Sequence, residues 1–276
     1  MPIITLTSDF GNKDYFVAAT KAALISELKS PEIIDISHQI SPFNLTEAAY
    51  IIKNAFKSFP KGTIHIIGVE AELTPENSHL AMNFEGHYFI GANNGIFSMI
   101  FGNIKPKEIV QINIHNSTTS SFPVLDIFVK AAAHICRKGS LDVIGKKILK
   151  IKEIKDINPV INSQENQILG SVIYIDNYGK VITNISKKIF IDVQKNRSFT
   201  ILARNVKITK IYKSYSDGID FTLDKTSRQE DGKKLALFNS AGHLELSIYK
   251  SNPLTVGSAS TLFGLNFRDA VTVIFD

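Results

Sequence analysis

Tryptophan is absent from these 276 residues and cysteine occurs once. Cys136 therefore cannot close an internal disulfide, and within the apolar helical run Ala131 to Ile135 it reads as a small buried hydrophobe. No apolar stretch nears the roughly 20 residues that span a bilayer. The N-terminus lacks a basic segment leading into a short apolar one, so the cytoplasm is the expected location and no membrane partner is expected. No pair of His or Cys recurs at metal-ligand spacing, which leaves metal chemistry without a motif. A Gly-x-Ser-x-Gly elbow and a phosphate-cradling glycine loop are missing too, and no cofactor is expected. Strong charge of one sign is also lacking, at a net +5. Lysines gather after residue 145 (Lys146, Lys147, Lys150, Lys152, Lys155, then Lys207, Lys210 and Lys213), but Glu153 and Asp156 interrupt the first run. A nucleic-acid footprint is denser and interleaved with stacking aromatics. A solvated face is the better reading, and nucleic-acid binding through the second half ranks last among the functions.

What is present begins at once. Ile3 to Leu6 favours a strand and runs into Thr7-Ser8-Asp9-Phe10-Gly11. A helix follows, with Tyr15, Ala18, Ala22 and Ile25 as its expected apolar stripe. In open α/β sheets, ligands bind at the loops leaving the carboxyl ends of strands. Asp9 stands in such a loop, where it reads either as a ligand carboxylate or as the N-cap of that helix. The Asp-Phe-Gly triplet also occurs in protein kinases, but there it follows a glycine-rich loop and a catalytic Asp, and nothing of that kind precedes it here.

The first half goes on alternating strand with helix. Pro31 to Ile36 reads as a strand ending in Ser37-His38-Gln39-Ile40-Ser41-Pro42-Phe43. Asn44 and Glu47 have capping-box spacing before the stripe Leu45, Ala48, Ile52, Ala55 and Phe59. Thr63 to Val69 is an unbroken apolar strand suited to burial on both faces. Leu80 to Phe84 and Tyr88 to Ile90 flank Glu85-Gly86-His87 as a hairpin. Asn93-Asn94-Gly95 is a turn signal before a short helix, Ile96 to Phe101. Ile109 to Ile114 reads as a strand and Asp126 to Arg137 as a helix. Residues 152 to 167 are rich in Asn, Gln, Pro and Glu. Beyond them come short strands: Gly170 to Ile175, Ser198 to Leu202, Val206 to Tyr212, Leu235 to Asn239, Leu244 to Tyr249 and Ala270 to Phe275. The expected fold class is an α/β domain with a central, mostly parallel sheet flanked by helices (1–155). A linker (156–167) leads to a small all-β, barrel-like C-terminal domain (168–276).

No one loop identifies a chemistry, but their order does. Thr7-Ser8-Asp9-Phe10-Gly11 comes first, then Asp35-x-Ser37-His38-x-Ile40-x-Pro42-Phe43 and Asn93-Asn94-Gly95. Asp126-Ile127-Phe128-x-x-Ala131-Ala132, Asp176-Asn177-Tyr178-Gly179-x-x-Ile182-Thr183-Asn184-Ile185 and Asn239-Ser240-x-Gly242-x-Leu244-Glu245 follow. From Ile3 to about Gly257 this series resembles the S-adenosylmethionine (SAM) hydroxide adenosyltransferases, hydrolase relatives of the fluorinase and chlorinase enzymes.

The resemblance implies an adenosyl ligand, SAM or adenosine, bound at a subunit interface of a homotrimer. It also implies in-line displacement at the ribose C5′ carbon, giving adenosine and methionine. A sulfonium is already a good leaving group, so an aligned, desolvated nucleophile is the main requirement. By the same resemblance Asp9 accepts from the ribose diol, Phe43 walls the nucleophile pocket and Phe122 packs near the adenosine. Asp176 grips the methionine ammonium, Ser240 lies near its carboxylate, and Ile248 and Lys250 offer backbone groups to the adenine edge. Read without it, Phe43 and Phe122 are core residues and Asp176 with Gly179 is a turn.

The catalytic segments depart from the family. Its Asp-Pro-Gly-Val-Gly reads Glu70-Ala71-Glu72-Leu73-Thr74 here, with the following Arg near Asn77, and its Phe-His-Gly-Arg-Asp reads Phe122-Pro123-Val124-Leu125-Asp126. Glu for Asp lengthens the reach by about 1.5 Å, and a shift of about 1 Å can cost a hundredfold in rate. Proline accepts no proton and Asn77 carries no charge. Lys180, where the family has Asn, adds a cation beside the expected ammonium site. Three functions follow. The first is an adenosyl-binding member with hydrolysis weakened or lost. The second is a working hydrolase with Glu70 as substitute base, assisted by His79 or His65. The third is the nucleic-acid binder ranked last above. Halogenation is not expected, because Pro123-Val124 departs from the halide pocket as much as from the hydrolase one.

Overall fold

The computed structural model describes residues 2–114, 120–154, 158–228 and 230–276. Its contacts separate two units, Met1–Lys155 and Asp156–Asp276. The junction at residues 155–157, with the expected Lys155 and Asp156, lies outside the described residues.

The first unit runs β1 (Ile3–Ser8), α1 (Phe16–Glu27), β2 (Glu32–Ser37), α2 (Leu45–Ala55), β3 (Ile64–Gly68), β4 (His79–Phe84) and β5 (His87–Ala92). It continues through α3 (Ile96–Phe101), β6 (Glu108–Ile112), α4 (Val129–Cys136), α5 (Leu141–Ile144) and β7 (Gly145–Lys147). The sheet order is β2-β1-β3-β5-β4-β6-β7. The strand contacts β1/β2, β1/β3 and β3/β5 are parallel, whereas β4/β5, β4/β6 and β6/β7 are antiparallel. The sheet is thus mixed rather than mostly parallel. The reason is local: a two-residue turn at Glu85 and Gly86, both at positive φ, folds β5 straight back on β4.

Strand order dictates where the helices go. From β1 the chain steps outward to β2, then returns past β1 to β3. Right-handed crossovers in opposite directions place their helices on opposite faces. Leu24 of α1 accordingly packs with Ile4, Leu6, Ile64 and Ile66, and Ala48, Ala49 and Ile52 of α2 pack with Ile67 and Val69. The expected stripe on α1 is corrected. The helix buries Thr20 and Leu24, with Leu28 just beyond, while Tyr15 and Ile25 are 69% and 59% exposed. Both sets have helical spacing, and only the fit of Leu24 against β1 and β3 selects between them. The Asn44 cap holds as expected, its side chain accepting from the Glu47 amide at 3.1 Å.

A buried imidazole pair lies within this sheet. His65 Nδ1 is 2.7 Å from Thr5 Oγ1 and its Nε2 is 3.3 Å from His87 Nδ1, among Phe56, Phe59 and Phe89. Burial first, and the neighbouring His87 second, lower the His65 pKa to about 3. Unfolded, the same ring protonates near its ordinary 6.5. Below that pH the unfolded chain binds the extra proton, so this stability is present at neutral pH and drains as pH falls from 6.5 towards 3, by at most about 5 kcal/mol. Urea unfolding between pH 7 and pH 4 is expected to show this loss, and a His65→Gln variant is expected to show a slope shallower by about one proton.

The second unit is antiparallel throughout its named strands. It comprises β8 (Val160–Ile161), β9 (Gln167–Ile175), β10 (Val181–Ser186), α6 (Lys187–Gln194), β11 (Phe199–Ala203), β12 (Val206–Ile208), β13 (Lys234–Phe238), β14 (His243–Ile248), α7 (Ala259–Phe263) and β15 (Ala270–Phe275). The order is β12-β11-β15-β9-β10-β14-β13, with β8 beside β9. A Tyr212–Leu237 bridge joins the chain after β12 to β13, so the sheet nearly closes into a barrel. Val160–Ile161, in the segment read as linker, pairs with Ile168 and Leu169. Among the described residues, no helix is long and apolar enough to cross a membrane.

Candidate functional site

In the first unit the chemistry gathers at the carboxyl ends of β1 and β3, between which the crossovers diverge. Such a switch point opens a crevice for ligands. Gly68 ends β3 beside Ser8, and a Cβ there would lie 2.9 Å from Val124 Cγ2 and 3.1 Å from Phe10 Cζ. Only glycine lets the strand end touch both.

Asp9 is not a helix cap. Helix α1 is capped at Tyr15, without a side-chain bond. Instead Asp9 Oδ2 accepts from the Phe43 amide at 2.9 Å, which brings together two residues 34 positions apart. Phe43 takes a left-handed φ of 60° and is 71% exposed, so it is no core residue. Phe122 is partly buried, edge-on to Phe10 and Phe16 with centroids at 5.5 and 5.1 Å. It sits where the segment Val124–Phe128 winds as a π-helical turn opened by Pro123, a form frequent at functional sites. Next to Asp9, Ser8 Oγ is 2.6 Å from His38 Nδ1.

Glu70 follows β3 at a left-handed φ of 46°. Asn94 holds its loop: the buried amide donates to the Val69 and Glu70 carbonyls at 3.0 and 3.1 Å and accepts from the Ile96 amide. His79 Nε2 bonds the Ala71 carbonyl at 2.9 Å from a fully buried ring, which makes it an anchor of this loop. His65 is engaged in the Thr5–His87 cluster, so the structure does not deliver it to Glu70. Lys152 was not foreseen as a site residue. Its Nζ donates to Asn77 Oδ1 at 3.0 Å, and only tertiary folding brings positions 77 and 152 together.

In the second unit Asp176 is both a turn former and part of a charge cluster. Its Oδ1 accepts the Tyr178 and Lys180 amides at 2.9 Å each, while Lys180 Nζ lies 3.9 Å from Oδ2. Lys180 Nζ donates to Tyr215 Oη at 2.9 Å and lies over the Tyr178 and Tyr215 rings at 4.8 and 4.1 Å. Tyr215 in turn donates to the buried Glu245 at 2.8 Å. Burial raises the Glu245 pKa against the opposing bond from Tyr215 and the charge of Lys180. Tyr215 escaped the sequence reading, and Glu245 was read only as part of the Asn239–Glu245 series, although an acid between Leu244 and Leu246 in a buried strand was a signal.

The remaining predicted residues divide along β14. Ile248 is buried at one end, its carbonyl accepting the Ser251 amide, and Lys250 is exposed there with Nζ 3.2 Å from Glu230 Oε2. The Asp176 turn lies at this same end, where Ser251 Oγ meets the Tyr178 carbonyl. Ser240 stands in the exposed β13–β14 turn at the other end of β14, next to Asn239, whose side chain hydrogen-bonds Glu245. Asn239, not Ser240, braces that turn, accepting from the Ala241 and His243 amides.

Comparison with known proteins places this arrangement. Residues 4–145 match the SAM hydroxide adenosyltransferase N-terminal domain and residues 170–272 the SAM hydroxide adenosyltransferase C-terminal domain. The chain belongs to the SAM hydroxide adenosyltransferase family. It is 28% identical to the (R)-S-adenosyl-L-methionine hydrolase of Methanocaldococcus jannaschii, over 100% of this chain and 97% of that one. A fluorinase of Actinopolyspora mzabensis is 22% identical over 67% of this chain and 72% of its own. The fold is similar to the crystal structure of an uncharacterized conserved protein from Thermotoga maritima, with a TM-score of 0.82 at 23% identity, covering 99% of this chain and 100% of that one.

Pro123 opens a helical turn and has no proton acceptor in its side chain. Asn77 takes the Lys152 ammonium on its amide oxygen. Asn94 is the structural key to the Glu70 loop. Removing its amide leaves two carbonyls and an amide without that partner, so Asn94→Ala is expected to cost about 2 kcal/mol in urea unfolding.

Proposed function

We propose that this chain binds an adenosyl ligand, SAM or adenosine, with the Asp9 carboxylate accepting from the ribose diol, and that SAM hydrolysis is weakened in it. A relative named (R)-S-adenosyl-L-methionine hydrolase spans its whole length. The carrying observation is Asp9 itself, set at the β1–β3 switch point and oriented by the Phe43 amide. A carboxylate bonded to two hydroxyls makes charge-assisted contacts, the stronger class of hydrogen bond. The weakening follows from position 123, where proline replaces the family's histidine, because a positioned proton acceptor contributes about 10²- to 10⁴-fold. Phe43, Phe122, Asp176, Ser240, Ile248 and Lys250 belong to the proposal as ligand-contacting positions, as does a homotrimeric assembly.

Calorimetric titration with adenosine and with SAM is expected to show binding, weakened at least tenfold in Asp9→Ala by loss of a charged hydrogen-bond acceptor. No heat at millimolar ligand overturns the reading. Chromatography of SAM incubations is expected to show adenosine forming about 10²-fold or more below a family member with the complete catalytic set.

One observation favours an active alternative. Lys152 restores a cation at Asn77, near the loop that bears Glu70. If Glu70 is the base, Glu70→Gln abolishes adenosine release; unchanged turnover in that variant excludes it.

A further inference from the structure

We infer that His38 is a positioning residue that sets the orientation of Asp9, acting through Ser8 and the loop backbone. This rests on the nucleoside reading for its functional consequence, but the geometry stands by itself. Lys21 Nζ is 2.5 Å from Asp35 Oδ2, and Asp35 Oδ1 is 3.1 Å from His38 Nε2, close but short of full hydrogen-bond alignment. His38 Nδ1 is 2.6 Å from Ser8 Oγ, and the Phe10 amide points at that same oxygen from 3.5 Å.

The donors along this line have one consistent direction. Facing a carboxylate, Nε2 carries the proton, because a bare lone pair there would be repelled. In the neutral ring Nδ1 then accepts from the Ser8 hydroxyl, which leaves the Ser8 oxygen to accept from Phe10. The Lys21 ammonium, with the His38 contact, holds the Asp35 carboxyl below its ordinary range against the opposing effect of burial. Asp35 therefore stays ionised and fixes the tautomer.

His38 grips the loop a second time through its backbone, its carbonyl accepting the Gly11 amide at 2.8 Å. Ser8 and Gly11 are thus tied to His38 and Phe10 to Ser8, and Asp9 is the one residue among them that reaches elsewhere, to Phe43. Ser8 and His38 are 3% and 6% exposed, so water competes little for these bonds. The half-buried Asp9 carboxylate is loop chemistry built on a buried brace.

The test combines affinity with loop exchange. Removing the brace is expected to raise the adenosine Kd about tenfold in His38→Ala, since contacting mutations of one network couple. In an Asp9→Ala background the same substitution is expected to add no more than about twofold, because the acid it orients is gone. His38→Asn, whose Oδ1 can stand in for Nδ1 towards Ser8, is expected to recover most of the affinity. Amide exchange of the 9–12 and 42–44 segments is expected to speed up in His38→Ala and to return towards wild type in His38→Asn. Ser8→Ala repeats the test if His38→Ala does not fold. Unchanged exchange in both segments, or a loss of affinity that persists undiminished without Asp9, overturns the inference. Faster exchange with no adenosine binding by the wild type supports the brace and overturns only the nucleoside reading.

Discussion

Parallel pairing of β1 with β3, Ile4 to Ser8 against Ile64 to Gly68, sets the geometry on which the first unit depends. It can form only because the chain leaves β1 in one direction and returns in the other, which sends α1 and α2 to opposite faces. Two apolar layers then cover the sheet, one through Leu24, Ile4 and Ile66 and the other through Ile52, Ile67 and Val69. The diverging crossovers leave their polar loops side by side at one edge. Asp9 and Glu70 are there because of topology, not because they attract one another.

Rigidity around these loops comes from polar side chains serving backbone groups. Asn94 satisfies carbonyls of the Val69–Glu70 turn, His79 that of Ala71, and the His38 carbonyl takes the Gly11 amide. Backbone away from regular ladders needs such partners once water is excluded. The second unit uses a similar device with charge: Lys180 lies between two tyrosine rings, and Tyr215 passes its hydrogen bond to a buried Glu245. Asp176 takes two amides of its own turn on one oxygen, and the Lys180 ammonium lies 3.9 Å from the other.

Much of this was legible in sequence where one local force dominates. The strand Thr63 to Val69, the Asn44–Glu47 cap and the Glu85-Gly86 hairpin each depend on neighbours within a few residues, and each appears close to its expected place. The α1 face failed because two stripes have the same period, and choosing between them needs the shape of the opposing strands. Strand β10 was missed: Val181 to Ile185 is buried throughout, so it shows no alternation. Reversed strands β4 and β7 turned an expected mostly parallel sheet into a mixed one, since strand direction is a property of pairs.

The linear chain determined the order of its loops, the two-part change of pattern near residue 155, and the presence of an acid at position 9 with no histidine at 123. These are matters of residue identity and short-range periodicity, which need no neighbours to be read. Tertiary structure alone decided that Asp9 is held by Phe43, that His38 braces Ser8, that Lys152 sits on Asn77 and that Tyr215 joins Lys180 to Glu245. Each joins residues 30 or more positions apart. Such pairs arise from how the strands cross and close, which no local preference encodes.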